Sequence, residues 1–182
     1  MREVVFTYGR FNPPTRGHEM MIQSMINRGK NTFVVVSHTH NKKKNPLNPN
    51  DKIDTLKKMF PTGVQFDHSS KERQLPRIIG ELREKYDILT MVVGSNRKES
   101  FQRAFKDIDR FVVAGGNRTN NESNISGIKA TYVREAAVKG NKDRFKRLMS
   151  DKLKNDDLER LSKSIYDTLT DTTKNMRKVL KK

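Results

Sequence analysis

The sequence predicts an α/β fold in which a mostly parallel, five-stranded sheet carries helices on both faces and a helical tail follows. Two observations point there. Short runs of β-branched and aromatic residues alternate with segments of helical period as far as residue 114, with Gly, Pro and Asn between them. Beyond Gly140 the strand pattern stops and only helical spacing continues. Such alternation implies a largely parallel sheet, with ligands expected beyond the C-terminal ends of its strands.

The elements follow in order. Glu3 to Tyr8 and Asn31 to Ser37 read as buried strands, and between them Met20, Met21, Ile22, Met25 and Ile26 mark one face of a helix from Gly17 to about Asn27. A helix from Asp51 to Phe60, a strand at Val64 to Phe66 and a helix from Arg73 to Tyr86 come next. The strand Ile88 to Val93, a helix near Glu99 to Phe105 and the strand Arg110 to Ala114 complete the sheet. Gly115 to Gly127 is a Gly-, Asn- and Ser-rich loop, expected to be mobile. A helix through Val133 and Ala137 ends at Gly140, with Thr131 as its expected cap. In the tail, Phe145, Leu148 and Met149, then Leu158, Leu161, Ile165 and Leu169, keep helical spacing behind caps at Asn141 and Asn155.

A chain of 182 residues suffices for one α/β domain, read as residues 1–140, with a helical extension, 141–182, packed on it. Cysteine is absent, which excludes disulfides, thiolate nucleophiles and cysteine-bound zinc. No segment approaches the roughly 18 uncharged residues of a membrane helix, so the expected location is the cytoplasm. Lys and Arg number 38 against 21 acidic residues, a net charge of +17. The tail carries 13 basic and 7 acidic residues, so the excess is spread over the whole chain. It suits solubility, phosphorylated substrates or a nucleic-acid surface, and charge alone does not choose.

The strongest chemical signal is Gly9-Arg10-Phe11-Asn12-Pro13-Pro14-Thr15-Arg16-Gly17-His18, between the first strand and the first helix. Glycine lets backbone approach a ligand, two prolines stiffen the turn, and a helix N-terminus favours an anion. Further along stand Lys42-Lys43-Lys44 after the second strand, Val92-Val93-Gly94-Ser95-Asn96-Arg97 at the end of the fourth, and Ile128-Lys129-Ala130-Thr131-Tyr132-Val133-Arg134 opening a helix.

Together these segments resemble the T/H-x-G-H nucleotidyltransferase superfamily, with its Rossmann-like (HUP-type) fold, over residues 3–140. The resemblance implies that His18 stabilises charge developing on an α-phosphate and that Thr15 helps orient the phosphates. Lys42, the choice among three lysines, and Arg134 would bind phosphate. Gly9, Arg10, Phe11, Asn12, Gly17, Gly94, Asn96, Arg97, Ile128 and Thr131 would complete the nucleotide site. Two departures are visible: Asn96 stands where relatives have aspartate, and Lys129 where they have serine.

Gly-Arg-Phe and Phe-Asn-Pro are similar to mononucleotide adenylyltransferases, and Gly-Arg-Phe-Asn-Pro-Pro with Val-Arg-Glu-Ala-Ala also resembles phage-encoded members, for which the location would be the host cytoplasm. The implied reaction is transfer of AMP from ATP to a phosphorylated small molecule, nicotinamide mononucleotide first, releasing pyrophosphate. Magnesium would be carried by the nucleotide, with no metal site on the protein, and a homo-oligomer is compatible with the family. Cytidylyltransferase or phosphopantetheine adenylyltransferase activity, or a nucleic-acid-binding protein on the same fold, are the alternatives. His38 and His40 lack a third metal ligand and are expected instead to line the acceptor pocket, together with 71–74 and 117–123.

Overall fold

The computed structural model describes residues 1–114 and 122–171. Residues 115–121, which hold the first part of the loop expected to be mobile and most of the 117–123 segment expected at the acceptor pocket, and the last eleven residues of the tail therefore lie outside the described residues. Strands β1 (Glu3–Gly9), β2 (Asn31–Val36), β3 (Gln65–His68), β4 (Ile88–Val93) and β5 (Arg110–Val113) form one sheet in the order β3-β2-β1-β4-β5. Every neighbouring pair is parallel. Sequence order reverses between β1 and β4, the switch point at which an open α/β sheet offers a crevice.

Alternation along the strands divides the core. Val5, Val34, Val36 and Val92 meet Ile22 and Met25 of α1 (Arg16–Ile26) and Ile53, Leu56 and Met59 of α2 (Pro49–Met59). Helices α5 (Ala130–Val138), α6 (Lys142–Leu148) and α7 (Asn155–Leu169) bury Val133, Phe145, Leu161 and Ile165 in the same cluster. On the opposite face Val4, Phe6, Val35, Leu89 and Met91 pack against Leu75, Ile78, Ile79 and Leu82 of α3 (Leu75–Lys85). Phe101 and Phe105, at α4 (Lys98–Ala104), join that second cluster.

Several boundaries differ from the sequence reading, each for a local reason. β3 starts later, because Gly63 turns the chain at φ +84, and it runs on through Asp67 and His68, which an edge strand leaves half-buried. Arg73 is outside α3: its guanidinium is held by Asp67 and Glu81, at 2.9 and 2.6 Å, and the helix opens at Leu75-Pro76. α2 begins two residues early, capped by Asn48, whose Oδ1 accepts from Asp51 N at 2.9 Å. The N-cap positions are Lys129 for α5, which leaves Thr131 inside the first turn, and Lys154 rather than Asn155 for α7, and neither lysine makes a side-chain capping bond. Asn141 caps α6 by accepting from Arg144 N, and Gly140 leaves α5 at φ +67.

Candidate active site

The pairing of β1 with β4 ends at Phe6 and Met91. One residue further on, Thr7 Oγ1 donates to the carbonyl of Val92 at 2.9 Å, so a side chain takes over where the ladder stops. Beyond this point the two strands part, and a cavity of about 340 Å³ opens at their C-terminal ends. It is a switch-point crevice, built by the ending of one strand pair.

The segment after β1 forms one wall, with Gly9, Arg10, Phe11, Asn12 and His18 all lining the cavity. Phe11 is a buried non-glycine residue at φ +48, a left-handed conformation that costs a bulky residue of the order of 1–3 kcal/mol. Its ring lies 4.6 Å from the His18 ring, tilted by 45°, and a Cβ on Gly9 would meet it at 3.0 Å. Glycine at position 9 therefore makes room for the aromatic ring that braces His18.

His18 is fixed by a reciprocal cap at the start of α1. Thr15 N donates to His18 Nδ1 at 2.9 Å, while Thr15 Oγ1 accepts from His18 N at 3.4 Å. Because a backbone N–H can only donate, Nδ1 is the acceptor and the neutral ring carries its proton on Nε2. Thr15, almost fully buried, is not part of the cavity wall; its contacts orient the histidine that is. Gly17 is also off the wall. A Cβ there would stand 3.2 Å from the carbonyl oxygens of Ile125 and Ile128, so glycine permits α1 to approach the segment leading into α5.

Asn12 sits at the wall, but its side chain is committed: Nδ2 donates to Leu47 O at 3.0 Å and Oδ1 accepts from Leu47 N at 2.8 Å. This two-point clamp ties the β1 loop to the loop after β2. In the latter, an Asn41–Asn45 bridge closes a tight turn, and Asn41 Oδ1 accepts from the backbone of Lys43 and Lys44. The turn splays the three lysines. Lys44 lines the cavity, whereas Lys42 forms an ion pair with Asp171 and is not among the lining residues. Asn45, also on the wall and 4% exposed, keeps Oδ1 without a hydrogen-bond partner among the described residues. Lys44 and Asn45 were missed from sequence; the Asn-x₃-Asn spacing that closes the turn was the available signal.

Ile128, Lys129, Ala130, Thr131 and Arg134 supply the opposite wall from the start of α5. Arg134 donates to Asn12 O at 2.8 Å and to Thr131 Oγ1 at 3.2 Å, bridging the two walls. Burial, and secondarily the charge of nearby Arg10, pull its pKa down from the ordinary value. At the end of β4, Gly94, Asn96 and Arg97 line the cavity through a turn closed by Arg97 N to Gly94 O at 3.0 Å. His38 and His40 do not line it: His38 Nδ1 lies 2.8 Å from Ser69 Oγ, and His40 is exposed.

Among the described residues the lining contains Arg10, Lys44, Arg97, Lys129 and Arg134, together with His18, and no carboxylate. Convergent cations and a fixed imidazole donor on opposing walls suit a polyphosphate.

Comparison with known proteins bears on the fold and the family. The fold matches a Plasmodium falciparum nicotinic acid mononucleotide adenylyltransferase complexed with NaAD, at TM-score 0.67 and 13% identity, over 92% of this chain and 98% of that one. It also matches a bifunctional NMN adenylyltransferase/ADP ribose pyrophosphatase from Francisella tularensis, at TM-score 0.64 and 18% identity, covering all of this chain but 57% of that one. No curated protein matches significantly in sequence. The cytidylyltransferase-like family model matches residues 6–136, a span holding the His18 cap, the cationic walls and the switch-point crevice, and the chain belongs to that family of nucleotidyltransferases.

Proposed function

We propose that the protein transfers the adenylyl group of ATP to a phosphorylated small-molecule acceptor, nicotinamide mononucleotide first, by in-line attack on the α-phosphate with loss of pyrophosphate. One observation carries this reading: His18 is capped so that its proton is on Nε2, in a cavity whose charged side chains, among the described residues, are all cationic. In-line phosphoryl transfer asks chiefly for positioning and for charge stabilisation by donors already in place. His18 supplies a donor for charge growing on the α-phosphate. Arg134 and Lys44 favour the β- and γ-phosphates and then the departing pyrophosphate, and the residues after β4 offer contacts to the nucleoside. With no carboxylate on the wall, magnesium would arrive on the nucleotide's own phosphate oxygens and spread their charge.

The choice of ATP rests on the Gly-Arg-Phe-Asn-Pro segment and on the adenylyltransferases among the fold's neighbours. A second reading has its own observation. A groove of about 530 Å³, bordered among the described residues by five cations, Arg10, Lys43, Lys44, Arg134 and Lys139, against one carboxylate, Glu135, adjoins the cavity and would suit the phosphates of a nucleic-acid end acting as acceptor.

The test is pyrophosphate release from ATP and CTP, with magnesium, across nicotinamide mononucleotide, nicotinate mononucleotide, phosphopantetheine, flavin mononucleotide and a short 5′-phosphorylated RNA. Turnover is expected with ATP and nicotinamide mononucleotide, falling about 10²- to 10³-fold in His18→Ala, the scale of one essential charge-stabilising donor. Undiminished turnover in the mutant would sink the assignment of His18, and turnover with RNA alone would favour the second reading.

A further inference from the structure

Lys52, on α2, is completely buried, an unusual place for a lysine unless its amine has a task. Its Nζ donates to two main-chain carbonyls, Arg10 O at 2.8 Å and Ser37 O at 2.6 Å, which lie just beyond the ends of β1 and β2. The first belongs to the peptide joining Arg10 to Phe11. A trans peptide is planar and sets its N–H opposite its C=O, so holding the Arg10 oxygen towards Lys52 turns the Phe11 N–H the other way. That N–H has no hydrogen-bond partner among the described residues, although Phe11 is buried and lines the cavity beside His18. A backbone donor left unmatched beside a cationic cavity takes its acceptor from outside the protein. The left-handed φ of Phe11 shows that the segment is held in a conformation it would not choose alone.

We propose that Lys52 is a positioning residue: by gripping the Arg10 carbonyl from beneath, it aims the Phe11 N–H at the nucleotide's phosphate as a second donor beside His18. The inference rests on the reading of the cavity as a nucleotide phosphate site. Lys52 itself touches no ligand; it acts through the orientation of one peptide plane. Ser37 gives the amine a second anchor and so fixes its direction. The two carbonyls come from adjacent strands, so the same contact also sets the β1 loop against the end of β2.

The experiment uses full-length protein with ¹⁵N-phenylalanine and follows the Phe11 amide resonance as ATP is added without acceptor. The Phe11 signal is expected to move downfield in wild type as the amide gains an anionic partner, and to lose that response in Lys52→Met, which keeps the length and apolar stem of the side chain. In parallel, kcat should fall about 10- to 100-fold in Lys52→Met while KM for ATP stays within about threefold, since the donor matters most as charge develops. Lys52→Arg, which restores donors, should recover a large part of the rate. A Phe11 amide that ignores saturating ATP in wild type overturns the inference, whatever the variant does or fails to fold into. An unchanged response and kcat in folded Lys52→Met overturns it too. The titration needs no turnover, so silence across the acceptor panel would count against the transfer reaction while leaving the result for Phe11 to be read by itself.

Discussion

At the scale of the residue, three consecutive lysines with the same side chain have different surroundings. Lys44 faces the cavity, Lys42 is paired with Asp171, and Lys43 borders the adjoining groove. On the nucleotide reading, Lys44→Ala should raise KM for ATP about tenfold or more, the worth of one charge-assisted contact, while Lys42→Ala should change it less than twofold. Steady-state kinetics of the pair decides this, and an equal effect would mean that the turn rearranges on binding. Lys52 gives a second prediction, on stability. Burial lowers its pKa from 10.5 to about 8. Below pH 8 the amine is charged in both folded and unfolded chains and the full desolvation cost is present. Between about pH 8 and 10.5 the folded chain has released the proton and the unfolded chain has not, so stability rises with pH. Urea midpoints of wild type, measured against Lys52→Met to cancel the general loss of positive charge, should therefore shift in favour of wild type by up to about 3 kcal/mol over that window. A flat difference would mean that the two carbonyl contacts keep the amine charged.

At the scale of the element, α1 shows how a motif is divided between structure and chemistry. Thr15 and His18 cap the helix for each other, Arg16 donates to Met149 O at 3.2 Å, and Gly17 allows close approach of the segment before α5. Of the Thr-Arg-Gly-His tetrad only His18 lines the cavity. Gly17→Ala tests the division. Alanine favours a helix by up to about 1 kcal/mol, offsetting part of the strain at 3.2 Å from two carbonyls, so the melting temperature should move by only a few degrees. The displaced 125–128 segment should carry the start of α5 away from His18 and raise KM for nucleotide several-fold; an unchanged KM would show that the gap closes by local adjustment. Elements of this kind were legible in sequence because hydrophobic period, turn residues and the Thr-x-Gly-His spacing act locally. The cap of α5 was misplaced because Thr131 is a good capping residue, yet its hydroxyl accepts instead from Arg134. Lys44, Asn45 and Lys52 were not legible as site residues because their roles arise from contacts between β1, β2 and α2 that no single segment contains.

At the scale of the whole molecule, the helices after the sheet share a buried core with it. Leu158, Leu161 and Ile165 of α7 and Phe145 of α6 share one buried cluster with Val5 and Val92 of the sheet and with Ile22 of α1. The packing of α7 on α5 thus supports the element that brings Arg134 to the cavity, although none of α7's buried residues lines it. Truncating Leu161, which is 1% exposed, should cost about 2–5 kcal/mol through lost burial and the cavity left behind. Because the cluster spans sheet and tail, Leu161→Ala should lower the midpoint of a single transition seen equally by far-UV circular dichroism and by tyrosine fluorescence, Tyr8 reporting from β1 and Tyr166 from α7. Two separated transitions, with the sheet unaffected by the substitution, would show that α6 and α7 fold as an independent appendage and that Arg134 is placed by α5 alone.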